Sequence, residues 1–156
     1  MAGLATTFGS GAMTNSIGDI GDAACILAIG TNTTATHPVI GFSVKQAVRR
    51  GTRLIVANPR EINLCRFADI WLRLNPGTDV ALLMGMIRVI VEEGLQDSSF
   101  IEERCENFDS FSKSLRSFDL DFVERTTGVP RKQIIQAAMM YATEKPATIL
   151  YAMGIT

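Results

Sequence analysis

The chain has 156 residues, 47% hydrophobic and 20% charged, which suits one folded domain with its own core and excludes a disordered tail. Fifteen basic and 16 acidic side chains leave a net charge of -1 with no block of one sign, which argues against nucleic acid and an anionic membrane as partners. No apolar run approaches the roughly 20 residues that span a bilayer, and the N-terminus lacks a signal peptide's basic-then-apolar order, which points to the cytoplasm.

Met1 to Gly11 is rich in glycine and threonine. Its Gly9-Ser10-Gly11 has the look of a phosphate loop, but no Gly-Lys-Ser/Thr follows. In Ala12 to Ile20, Met13, Ile17 and Ile20 fall three to four apart and predict a short amphipathic helix that Gly18 and Gly21 weaken. Ala23 to Ile29 is an unbroken apolar run, the signature of a strand buried on both faces in a parallel sheet. Gly30 then lets backbone come close to whatever lies above the strand end, and Thr31 to Thr34 offer short donors and acceptors. Pro38 suits the first turn of a helix running from Val39 to Arg50, with Lys45, Arg49 and Arg50 toward its C-terminal turns and Gly51 ending it.

Leu54 to Ala57 predicts a second strand with Asn58-Pro59-Arg60 at its carboxyl end, and a short helix over Glu61 to Phe67 leads to a third strand, Ile70 to Leu74. Asn75-Pro76-Gly77 breaks the chain, and Thr78-Asp79 opens a long helix through Glu93. Ser99 and Glu102 have capping-box spacing. From 98 to 143 only helices are expected: Phe100 to Asn107, Phe108 to Leu115, Asp121 to Thr126 and Arg131 to Thr143. The pair flanking Thr127-Gly128 has helix-turn-helix order but no basic cluster on its second helix. Thr148 to Tyr151 is a fourth strand. The expected fold is α/β, a parallel sheet of about four strands covered by helices, in a single domain over 1–156. Right-handed crossovers bring the strand-end loops, with Asn32, Asn58, Arg60 and Asp79, to one side of the sheet.

Little in this set can do chemistry unaided. Cys25, Cys65 and Cys105 lie 40 residues apart, too far for a CxxC clip, and read as reduced thiols. His37 has no nearby nucleophile or second histidine and reads as a helix cap, and the acids are single, so no catalytic residue and no metal site is assigned. Binding residues are another matter. Asp79 at a helix start is either a favourable end charge or a carboxylate that accepts the ring N–H and amino group of guanine. Asn58 either caps a turn or stands where dinucleotide folds hold a ribose hydroxyl. Arg60 is either a solvated charge or a partner for phosphate or base.

Four motifs in order, Gly30-Thr31-Asn32-Thr33-Thr34 with His37-Pro38, Asn58-Pro59-Arg60, Asn75-Pro76-Gly77-Thr78-Asp79, and Tyr151-Ala152-Met153-Gly154-Ile155-Thr156, resemble the molybdopterin oxidoreductase family over nearly the whole chain. Within it, the catalytic subunits of molybdenum- or tungsten-dependent formate dehydrogenases are most similar, and Gly3 to Asn15 resembles the segment just after their metal-binding cysteine or selenocysteine. The resemblance implies a Rossmann-like domain, internal to a longer chain, that grips molybdopterin guanine dinucleotide. Gly30 and Asn32 would face its phosphates, Asn58 and Arg60 its ribose and guanosine, Gly77 and Asp79 its guanine, and Met153 and Gly154 the same cofactor. Many relatives carry an acid where Ala35 stands and Asp-Pro-Arg in place of Asn58-Pro59-Arg60, so one or two charged hydrogen bonds are expected to be absent or weaker, costing about 1 to 3 kcal/mol each.

The resemblance also implies a four-iron four-sulfur cluster and the metal ligand ahead of residue 1, so the chain alone is expected to be inactive while the parent oxidises formate to carbon dioxide. Its partners would be the other domains of the same subunit and electron-transfer subunits. An export signal of the parent would also lie upstream. Two alternatives stand beside it: an NAD-binding dehydrogenase domain, which the absent GxGxxG disfavours, and a non-catalytic docking module.

Overall fold

In the computed structural model, which describes residues 2–9 and 11–155, all five residues of β1 (Cys25–Ile29) are buried. Side chains alternate across a strand, so burial of every residue requires cover on both faces. Cys25, Leu27 and Ile29 face one core with Ile55, Ala57 and Leu72, while Ile26 and Ala28 face a second with Leu54 and Val56. β2 (Arg53–Ala57) and β4 (Ala147–Tyr151) pair with β1, and β3 (Ile70–Leu72) pairs with β2, all parallel. The sheet order is β3-β2-β1-β4. The expected four-stranded parallel α/β sheet is therefore the observed one.

Two helical layers cover it. Against the second core lie Val44 and Ala47 of α3 (Pro38–Arg49) and Leu64 from a 3-10 turn at Asn63–Phe67. Against the first lie Leu82, Met86 and Val89 of α4 (Asp79–Glu92), Val123 of α7 (Leu120–Thr127), and Ile134, Ala137 and Ala138 of α8 (Arg131–Thr143). Between them α5 (Ser98–Arg104) and α6 (Phe108–Ser114) bury no residue completely. Pro38 occupies the first turn of α3 as expected.

Three expectations change. The helix over Ala12 to Ile20 is absent: a 3-10 turn spans Gly18–Gly21, and Met13 and Ile17 are exposed. The Asp19 carboxylate instead accepts bonds from the Ser16 amide and hydroxyl, both 2.8 Å, and this local turn outcompetes a helix already weakened by two glycines. The helical residues lie earlier, in α1 (Ala2–Phe8). The capping box at Ser99 is also displaced, since Asp97 caps α5 by accepting the Phe100 amide at 3.0 Å and the Ser99 hydroxyl at 2.9 Å. His37 sits at the start of α3, but its side chain caps nothing; its Nδ1 lies 2.9 Å from the Thr36 hydroxyl. Ser10 of the glycine-rich opening and Thr156 of the last motif lie outside the described residues.

The cysteines remain free thiols. Burial pushes Cys25 up to about 11, with the charges of Glu144 and Asp69 adding to it, so this thiol is a core hydrophobe.

Helix α4 meets α7 at Gly85, where an added methyl would lie 2.9 Å from both Cγ atoms of Val123. Replacing glycine by alanine inside a helix ordinarily gains about 1 kcal/mol, but overpacking costs about 1 to 3 kcal/mol. Gly85→Ala is therefore expected to lower the urea midpoint, and adding Val123→Ala should cost less than it does in the wild-type background. A higher midpoint for Gly85→Ala alone would contradict this packing.

Candidate functional site

Because all four strands are parallel, their carboxyl ends open on one edge of the sheet. Gly30, at the end of β1, takes φ +58°. Its amide donates to the Ala57 carbonyl at 3.2 Å, and its carbonyl accepts from the Gly154 amide at 3.0 Å. A Cβ at Gly30 would stand 2.7 Å from Ile155 Cγ2 and 2.9 Å from the Gly154 carbonyl carbon, and one at Gly154 would stand 2.7 Å from Gly30 Cα. Glycine is thus required at both positions by backbone-to-backbone approach.

Asn32 begins the four-residue helix α2 (Thr33–Thr36); its carbonyl accepts the Ala35 and Thr36 amides at 3.0 Å, and its Oδ1 accepts the Thr34 hydroxyl at 3.1 Å. α2 packs tightly under α3, where a Cβ at Gly41 would lie 2.9 Å from Thr34 Cα. Thr31 and Thr33 are buried in this loop, and Thr33 Oγ1 has no hydrogen-bond partner.

Asn58 links two loops. Its Nδ2 donates to the Thr31 carbonyl at 3.3 Å, its Oδ1 accepts the Arg60 amide at 3.0 Å, and its carbonyl accepts Trp71 Nε1 at 2.9 Å. At 9% exposure the residue is nearly buried, with Oδ1 closing the turn and Nδ2 tying it to the β1 loop. The guanidinium of Arg60 is exposed and, among the described residues, forms no ion pair. Between the β1 and β2 loops lies a cleft of about 500 Å³ lined by residues 32, 34, 35 and 60–63 together with Lys45.

The third loop stands farther out. Gly77 takes φ +80° with open space where a Cβ would be, so the turn conformation alone selects glycine there. Asn75 is tied to the α7 end through its amide on the Thr127 carbonyl, 2.7 Å, and its side chain on the Thr126 carbonyl, 3.1 Å. Asp79 is half-buried at the start of α4, and no hydrogen bond or ion pair engages its carboxylate among the described residues. Met153 is 84% exposed.

Of the residues singled out from sequence, Gly30, Asn32, Asn58, Arg60 and Gly154 are thus joined directly or through one neighbour. Gly77 and Asp79 share the edge but are bonded to none of them. Lys45 was read only as a helix-end charge. Its place in the cleft follows from lying one turn after Gly41 on α3, the face that packs on α2. No group of three or more His, Cys, Asp or Glu side chains is placed to hold a metal among the described residues, and no helix is long and apolar enough to cross a membrane.

Residues 2–156 match the model of the family described as molybdopterin oxidoreductase. The α subunit named F420-dependent formate dehydrogenase 1, from Methanococcus maripaludis, is 42% identical over 156 residues, all of this chain and 23% of that protein. Formate dehydrogenase H of Escherichia coli K12 is 40% identical over 156 residues, all of this chain and 22% of that protein. The solved structure of acetylene hydratase from Pelobacter acetylenicus superposes with a TM-score of 0.80 at 41% identity, covering 85% of this chain and 18% of that one. The chain spans about a quarter or less of the length of these relatives, and it belongs to the molybdopterin oxidoreductase family.

Proposed function

We propose that the chain holds the guanine dinucleotide part of a molybdopterin cofactor, as one domain of an enzyme that oxidises formate to carbon dioxide. The observation that carries the reading is the unengaged set at the carboxyl rim. Among the described residues, Thr33 Oγ1 is buried without a partner, and neither the Asp79 carboxylate at a helix start nor the Arg60 guanidinium is engaged, while the Gly30–Gly154 contact keeps side chains off the strand ends. Unspent donors and acceptors on a glycine-lined edge fit a ligand with phosphates, hydroxyls and a purine.

In this reading the Gly30–Asn32 loop approaches the phosphates and Arg60 lies by the ribose. Asn58 fixes the turn that carries Arg60 and keeps a second Nδ2 hydrogen and a second Oδ1 lone pair for a ribose hydroxyl. Gly77 sets the turn that brings Asp79 to guanine, and Met153 and Gly154 complete the rim. When bound, the cofactor supplies a molybdenum or tungsten centre that accepts the two electrons of formate; this chain's residues bind and orient it. A four-iron four-sulfur cluster, the metal ligand and electron-transfer partners belong, on this proposal, to the rest of the protein.

A hydratase reading has one observation in its favour. Acetylene hydratase of Syntrophotalea acetylenica is 41% identical over 140 residues, between the 42% and 40% of the formate dehydrogenases of M. maripaludis and E. coli. Formate chemistry is preferred because the formate dehydrogenases of M. maripaludis and E. coli align along all 156 residues, whereas the hydratase covers 89% of the chain. In the full-length protein, formate should reduce a viologen dye and acetylene should not be hydrated; the reverse pair would assign the domain to a hydratase.

For the domain itself, guanosine 5'-diphosphate should slow amide hydrogen exchange around Asn32, Asn58 and Asp79 more than adenosine 5'-diphosphate does. Asp79→Asn should remove about 10-fold or more of that preference, since a bidentate contact to a base is worth about 1 to 3 kcal/mol of discrimination. Equal protection by the two nucleotides would overturn the guanine assignment.

A further inference from the structure

We propose that Thr78 is a specificity-setting residue that acts through its neighbour: its hydroxyl locks the turn before α4 and so fixes where the Asp79 carboxylate stands on the rim. The inference rests on the reading that Asp79 meets guanine. Thr78 occupies the cap position of α4, and its carbonyl accepts the Leu82 amide at 3.1 Å, as a helix start requires. Its side chain does not serve the helix. No first-turn amide of α4 donates to Thr78 Oγ1; the hydroxyl instead donates to the Asn75 carbonyl at 2.7 Å. The caps of α5 and α7 behave differently: Asp97 and Asp119, both on extended backbone, accept the Phe100 and Phe122 amides. Thr78 stands at φ -111°, ψ 17°, outside that extended region.

The hydroxyl gives up a capping bond, which ordinarily stabilises a helix, to close a turn. The Asn75 carbonyl also accepts the Thr78 amide at 3.3 Å; Pro76 has the second place of the turn and Gly77, at φ +80°, the third, which matches a type II turn. Of the two bonds that hold the turn shut, the hydroxyl bond is the shorter. The near end of the turn is anchored, because the Asn75 amide and Nδ2 donate to the Thr127 and Thr126 carbonyls at 2.7 and 3.1 Å. Its far end is Thr78, and Asp79 follows directly as the first residue of α4, with a carboxylate that no bond among the described residues holds. The hydroxyl is thus the side-chain tie between the anchored end and Asp79. A carboxylate that accepts a ring N–H and an amino group together must be held in place, and adenine presents no such donor pair.

Dissociation constants of guanosine 5'-diphosphate and adenosine 5'-diphosphate, measured by amide chemical-shift titration of the chain, test this role. The two nucleotides share ribose and diphosphate, so a general loss of structure weakens both alike and leaves their ratio unchanged. Thr78→Val, which keeps the shape and removes the hydroxyl, should cut the guanosine preference about 3- to 10-fold, the worth of one hydrogen bond, while Thr78→Ser should retain it. Gly77→Ala strains φ +80° without meeting any atom within 4 Å. It opens the same turn by another route and should cut the preference as well, which keeps the test decisive should Thr78→Val disturb the fold. In an Asp79→Asn background Thr78→Val should remove little further preference, because the hydroxyl acts through that carboxylate. A wild-type preference that survives Thr78→Val or Gly77→Ala, one lost equally in Thr78→Ser, or a further full loss on top of Asp79→Asn would overturn the proposal alone. A wild-type chain that does not discriminate the two nucleotides would overturn the guanine reading, and this inference with it.

Discussion

Gly30 is held from both sides, and the geometry of the rim depends on that double hold. Through its amide it is tied to the end of β2, and through its carbonyl to the loop beyond β4. The positive φ and the absence of room for a Cβ make the arrangement available only to glycine. Since β1 is buried on both faces, neither core allows the strand to slide or tilt away from this clamp. The loop carrying Asn32 therefore leaves the sheet in one direction, and α2 and α3 pack around it through the close contact of Gly41 with Thr34.

Beside that clamp, the Asn58 carboxamide is a second fixed point. It bridges the β1 loop to the β2 turn and so sets where Arg60 emerges. The rim then divides by charge. Over β1 and β4 it is neutral, glycine-lined and shaped by backbone, whereas on the α3 side it is cationic through Lys45 and Arg60. The outer loop, with Gly77 and Asp79, hangs on α7 through Asn75, so its position is set by the helical half of the domain rather than by its neighbours on the rim.

The centre of the sheet was readable because β1 and the Leu54–Ala57 part of β2 are short continuous apolar runs followed by Gly30 and Asn58, and because parallel order follows from alternating strands and helices. Helix ends were readable where capping chemistry is local, as at Pro38. Failures occurred where one local hydrogen bond displaced another: Asp19 with Ser16 against the Ala12–Ile20 helix, and Asp97 against the Ser99 cap. Of the site, glycines and polar turn residues were visible by type and spacing. Lys45 was not, since its role comes from the packing of α3 against α2. The turn cap by Asn58 was readable, but its Nδ2 bond was not, because the Thr31 carbonyl that accepts it is 27 residues away in sequence.

The central claim is that the carboxyl edge of this sheet receives a guanosine nucleotide, and a crystal structure of the chain soaked with guanosine 5'-diphosphate tests it most directly. Density for the nucleotide should lie across the β1 and β2 loops, with diphosphate oxygens near the Gly30–Asn32 backbone and the guanine edge facing the Asp79 carboxylate. Nucleotide bound at the opposite edge of the sheet, or an empty carboxyl rim at saturating nucleotide, would contradict it.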